Sequence, residues 1–215
     1  MQGYPTFASF SSCLLLYTQL CFSHGMNEID EALLSECIRK DRKAQYRLYK
    51  ACYGFLVSIC LRYTRNRDDA DALLNLGFLK ILNNLNKRRM EVPFTLWMKR
   101  IMINTVIDEY RKNKKEKEQV IITDFSETLV EYDDEQVNEY IRKTDPEYIL
   151  QLIRDLPPVS GKVFNLFAVD GYSHKEISEL LGMSEGTSKW HVNFARNKLR
   201  EMLRDVSKPL RVVAS

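Results

Sequence analysis

Apolar side chains recur at three- and four-residue steps along almost the whole of this chain, and nowhere alternate long enough to build a sheet. Ala44, Leu48, Cys52, Phe55, Ile59 and Tyr63 form one such stripe. Ala70, Leu73, Leu74, Phe78, Ile81, Leu82 and Leu85 form another. A helical period gathers each set on one face, and an apolar face must be covered by a neighbouring element. Glycine is scarce, eight in 215 residues. The pattern predicts an all-α chain.

Breaks in the pattern divide it. A first amphipathic stretch runs from about Glu28 to Arg39. "NRDDAD" offers Asp68 or Asp69 as an N-cap. "NKRRMEVP" predicts a loop, with Pro93 suited to the first turn of a helix from Phe94 to about Asn113. From residue 118 to 143 the periodicity fades, as expected of a linker. Order resumes at "TDPEYILQLIRDL", with Asp145 as N-cap, Pro146 first in the helix, and Ile149, Leu152, Ile153 and Leu156 as its apolar face. "PPVSGKVFNLFAVDGYS" supplies a further helix that stops near Asp170 and Gly171. The expected organisation is two helical domains, residues 26–116 and 145–207, joined by a flexible acidic linker over 117–144 and followed by a tail over 208–215.

Charge is unevenly placed. The formal net charge is only +3, but Lys87 to Lys117 holds ten Lys and Arg against four Asp and Glu. Asp124 to Glu139 holds seven acidic residues and no Lys or Arg. A basic surface beside an acidic segment is the expected result. The five cysteines lie in the first sixty residues without zinc-like spacing, and are expected to be reduced thiols in a cytosolic protein. No apolar run reaches the ~18 residues that a membrane span needs, so no membrane insertion is expected. Residues 1–25 carry no Asp, Glu, Lys or Arg, and lack the charged start of an export signal. They are expected to be a non-native or disordered extension ahead of a start at or near Met26, dispensable for folding and activity.

Two segments carry the functional signal. "HKEISELLGMSEGTSKWHVNFARNKL", from His174 to Leu199, has the layout of a helix-turn-helix. Ser178 is small, Gly182 follows four residues on, and Ile177, Leu181 and Met183 surround the turn. Ser184 can cap the second helix. That helix is expected to present Thr187, Lys189, Trp190, His191 and Asn193 outward, with Arg196, Lys198 and Arg200 behind. Such groups suit base edges and phosphates of a major groove. Ser188 stands where an apolar β-branched residue usually packs.

"FTLWMKRIMINTVIDEYRKNKKEK" is the second. Phe94, Trp97, Met98, Ile101 and Thr105 share one face at about 100° per residue. Asn104 and Asp108 lie at its edge, where polar groups need partners. Arg111, Lys112, Lys114 and Lys115 make a basic tip able to meet a polyanion. No Gly-rich phosphate loop, nucleophile motif or metal-ligand spacing appears, so neither catalysis, cofactor nor metal is expected.

In this order, and separated by an acidic stretch, these segments resemble the sigma-70 family of RNA polymerase sigma factors, extracytoplasmic-function (ECF) class. The resemblance covers roughly Met26 to Val206 and is carried by "AQYRLYKACYGFLVSICLRYTRNRDDADALL", "FLKIL", "FTLWMKRIMINTVIDEYR" and "LPPVSGKVFNLFAVDGYSHKEISELLGMSEGTSKWHVNFARNKL". It implies a promoter-specificity subunit whose partners are core RNA polymerase, promoter DNA and an anti-sigma factor. Lys87, Arg88 and Arg89, in a loop that pockets a flipped base, with Asn104, Asp108, Arg111 and Lys112, would serve the −10 element. Ser184, Thr187, Lys189, Trp190, His191 and Arg196 would serve the −35 element. Asp71, Asn75 and Leu76 would meet the polymerase core, although Asn75 and Leu76 replace a common Gln-Glu pair. The linker would thread through the polymerase. A helix-turn-helix regulator with a ligand-sensing or dimerising first domain is the alternative, but leaves the helix after Pro93 and the acidic stretch without a role.

Overall fold

In the computed structural model of the chain, residues 29–116 and 146–207 are described, with side chains over 29–112 and 148–203. The expectations for residues 1–25, the acidic linker, the Asp145 cap and the tail lie outside the described residues. Among the described residues there is no strand, in agreement with the helical period. The chain divides into two compact units.

The first unit packs α1 (Glu31–Ile38), α2 (Arg42–Tyr63), α3 (Arg67–Asn84) and α4 (Phe94–Glu116), with a 3₁₀ turn at Leu85–Lys87. Side-chain caps start the first three. Asp30 accepts from the Leu33 amide at 2.7 Å, and Asp41 from that of Ala44 at 2.8 Å. Asn66, not Asp68 or Asp69, caps α3, accepting from the Asp69 amide at 2.8 Å. The two aspartates fall in the first turn, where the helix dipole favours negative charge. Leu48, Cys52, Leu56 and Cys60 of α2 are buried together with Ala70, Leu74 and Ile81 of α3. Cys37, Cys52 and Cys60 are free thiols. Burial pushes the Cys52 and Cys60 thiols up to about 12, so they behave as small apolar groups.

The buried face of α4 differs from the stripe expected. Of Phe94, Trp97, Met98, Ile101 and Thr105, only Met98 and Thr105 are fully buried. Met102, Ile103, Val106 and Ile107 complete the covered face. The reason is that α4 meets both α2 and α3, so burial spreads beyond a single stripe. Gly77 lets α3 and α4 approach closely. A Cβ there would fall on the terminal methyl and, at 2.6 Å, the sulfur of fully buried Met102.

The second unit holds α5 (Pro146–Arg154), α6 (Pro158–Phe164), α7 (His174–Leu181) and α8 (Glu185–Ser207). Ile149, Leu152, Ile153 and Leu156 are all buried as expected, against Phe164, Val169, Ala195, Leu199 and Leu203. From Asn165 to Val169, α6 widens into a π-helical turn that no periodicity announced. α7 opens with a full capping box between Ser173 and Glu176 and ends at Gly182, whose φ of +64° is a left-handed conformation that favours glycine. The amides of Gly182 and Met183 both donate to the Ser178 carbonyl, at 3.0 and 3.2 Å. Ser184 Oγ then accepts from the Thr187 amide at 3.0 Å and starts α8. The helix-turn-helix corner is built as expected.

Candidate nucleic-acid interface

On the first unit, the edge of α4 and the end of α3 enclose a cleft of about 350 Å3. Trp97, Ile101, Asn104, Thr105 and Asp108 line one wall, and Lys80, Asn84 and Lys87 the other. Trp97 is therefore a half-buried wall of an open cleft rather than a core residue, its ring 5.8 Å from that of Phe94. Asn104 and Asp108 are exposed at the core margin. The partner that Asp108 needs is Lys80, whose Nζ donates to Oδ2 at 2.9 Å. The Thr105 hydroxyl donates back to the Ile101 carbonyl at 2.8 Å. Arg111 and Lys112 continue along α4 and are exposed.

The loop from Lys87 to Pro93 is braced from within. The Arg88 guanidinium pairs with Glu31, donates to the Val92 carbonyl at 3.2 Å, and lies 5.9 Å from the Phe94 ring centroid. Only 6% of its side chain is exposed, so it shapes the loop. Lys87 and Arg89 are the exposed cations of this loop, and Met90 stands out from it with 65% of its surface open.

Asp71 and Asn75 point along the side of α3 that faces α2. Tyr53 donates to Asp71 at 3.4 Å, Arg67 donates to both Asp71 (3.2 Å) and Tyr53 (2.6 Å), and Tyr49 donates to Asn75 at 3.3 Å. Leu76, beside them on α3, is half-buried.

In the second unit, α8 presents Lys189 and Asn193 to solvent, while the Ser184 and Thr187 hydroxyls sit 2.9 Å apart at its start. Trp190, His191 and Arg196 are turned against the domain. Trp190 stacks on Phe194 at 5.1 Å, His191 Nδ1 is hydrogen-bonded to Ser160 Oγ at 2.9 Å, and Arg196 lies 5.9 Å from the Phe167 ring centroid. Arg200, expected behind the basic face, is buried. Burial lowers the Arg196 pKa and that of His191. Missed in the sequence were His174, Ser160 and Phe167. They lie on α6, its π-helical turn and the start of α7, and only the fold brings them to α8.

A helix-turn-helix in one helical unit and an aromatic and cationic cleft in the other give the chain the architecture of a DNA-binding protein. The family profile for sigma-70 region 2 matches residues 48–116, and that for sigma-70 region 4 matches residues 147–199. The chain is 32% identical over 133 residues to RNA polymerase sigma factor SigZ of Bacillus subtilis (strain 168), covering 62% of this chain and 72% of that protein. It is 27% identical over 158 residues to ECF RNA polymerase sigma factor SigW of the same organism, covering 70% and 84%. The Bartonella quintana sigma factor RpoE, solved with the anti-sigma factor NepR, superposes with a TM-score of 0.45 at 20% identity, over 77% of this chain and 99% of that one. The chain belongs to the sigma-70 family of RNA polymerase sigma factors, in its ECF class, and directs transcription initiation. A region 2 match over the first unit disfavours the reading of a simple regulator. No helix among the described residues is long and apolar enough to cross a membrane.

Proposed function

We propose that the two units divide promoter recognition between an unpaired strand and a duplex. The cleft beside α4 and the Lys87–Pro93 loop take the non-template strand of the −10 element. The carrying observation is an aromatic wall (Trp97) and polar edge (Asn104, Asp108) next to exposed Lys87 and Arg89. An extruded base needs a stacking and hydrogen-bonding surface, and its phosphates need cations. Arg111 and Lys112 extend the cationic path, and Arg88 holds the loop in shape.

α8 reads the −35 element as duplex, with Lys189 and Asn193 toward the DNA and Ser184 and Thr187 at its N-terminal end. Trp190, His191 and Arg196 act by placing that helix. Asp71 and Asn75, fixed by Tyr49, Tyr53 and Arg67, form the surface for core polymerase, and Leu76 serves the packing margin beside it. The acidic stretch tethers the two modules, so docking of one raises the effective concentration of the other. The protein works in the cytoplasm and performs no catalysis.

Holoenzyme carrying Asn104→Ala is expected to bind promoter duplex but show about ten-fold less thymine reactivity to permanganate across the −10 element, on the scale of one lost base contact. Lys189→Ala is expected to weaken duplex binding first. Equal opening by Asn104→Ala and the native protein would refute the division.

A further inference from the structure

Asp108 poses a problem for any polyanion entering the cleft. Its carboxylate is 55% exposed on the wall beside Asn104, where a DNA strand brings a negative charge with every nucleotide. Lys80 meets it from the opposite wall at 2.9 Å, with 39% of its own side chain exposed. The Lys80 backbone is itself fixed, because Asn84 Nδ2 donates to its carbonyl at 2.8 Å. An ion pair this exposed adds little to folding stability. What it alters is the charge of the cleft wall.

We propose that Lys80 is a positioning residue for promoter opening: it holds and neutralises the Asp108 carboxylate so that a single DNA strand can enter the cleft beside it. The proposal rests on the reading of this cleft as the path of the −10 strand. With Lys80 in place, Oδ2 of Asp108 is engaged and the net charge of the pair is zero. Remove Lys80, and the strand meets a bare carboxylate on a wall shared with Trp97 and Asn104. Neutralising Asp108 should then matter greatly. In the native protein Lys80 already cancels that charge, and an amide would keep an acceptor oxygen at the same place.

The test is a double-mutant cycle on holoenzyme binding to a fork-junction DNA with a single-stranded −10 segment. Lys80→Met keeps the apolar stem and removes the charge. It is expected to weaken fork binding about ten-fold, a coupling ordinary for neighbouring charges. In an Asp108→Asn background the same Lys80→Met change is expected to cost less than about two-fold, because no bare carboxylate is left for the strand to meet. Lys80→Arg should retain native binding. Affinity for core polymerase and the thermal unfolding midpoint should stay unchanged in every variant, which a structural role would not allow.

An equal effect of Asp108→Asn in both backgrounds would overturn the proposal, since Lys80 would then act directly on phosphate. An inert Lys80→Met would also overturn it. If Trp97→Ala and Asn104→Ala leave fork binding intact as well, the cleft is not the strand's path and both readings fall.

Discussion

His174 Nδ1 lies 3.0 Å from the hydroxyl of Ser188, a side chain with no exposed surface at the heart of the helix-turn-helix. The same imidazole stacks on Phe167 with ring centroids 4.4 Å apart. A serine is tolerated at a core position because an imidazole from α7 reaches it, and the pair ties the recognition helix to the helix before it. Ser188→Ala is expected to destabilise the second domain by about 1–2 kcal/mol, since a polar nitrogen loses its buried partner. Ser188→Val, though a better apolar filler, should also destabilise, and His174→Leu should recover part of that loss. Denaturant unfolding followed by Trp190 fluorescence, in a Trp97→Phe background, measures each.

His174 and His191 together predict acid sensitivity of that domain. Burial, then Lys189 and Arg196, lowers the His174 pKa from the ordinary 6.5, against the opposing effect of Glu185. Burial lowers that of His191, which faces Ser160 and lies against Trp190. With folded values below unfolded ones, the unfolded chain binds more protons as pH falls past 6.5. Stability from these two groups is therefore complete above that pH and declines below it until the folded values are passed. The unfolding midpoint reported by Trp190 should hold above about pH 6.5 and drop as pH falls from there toward about 5, within the ordinary histidine range. Replacing both histidines with Gln should reduce that slope. An equal slope in the variant would refute the assignment.

Gly77 and Met102 set the spacing of α3 and α4. Gly77→Ala is expected to cost about 1–3 kcal/mol by overpacking, because its Cβ would displace the side chain of fully buried Met102. Met102→Ala in the same chain should relieve part of the cost, which a cycle of four thermal melts would show. The cleft beside α4 should open or narrow with that spacing, and fork-DNA affinity should follow.

Lys189 and Arg196 should separate by phenotype although both are cations of one helix. Lys189→Ala should leave stability unchanged and lower the salt slope of −35 duplex binding by about one unit. Arg196→Ala should lower stability, because its half-buried guanidinium lies over Phe167. A native melt for Arg196→Ala, with a salt slope reduced as for Lys189→Ala, would place Arg196 on the DNA instead.

The chain itself determined whatever depends on near neighbours. The helical period of Ile149, Leu152, Ile153 and Leu156 located a buried face correctly. The spacing of Ser178, Gly182 and Ser184 located a corner correctly, because capping and a left-handed glycine are settled within a few residues. Tertiary structure decided what depends on which neighbour covers which flank. α4 is buried on two sides, so Trp97 and Ile101 of the expected stripe became a cleft wall and not the core. Arg88, His191 and Arg196 carry the chemistry of DNA contacts, yet partners far along the chain or on other helices draw them inward. Lys80 and Asp108 stand 28 residues apart, and Ser160 and His191 stand 31 apart. No period in the sequence encodes such pairs; they exist only once apolar burial has brought the helices together.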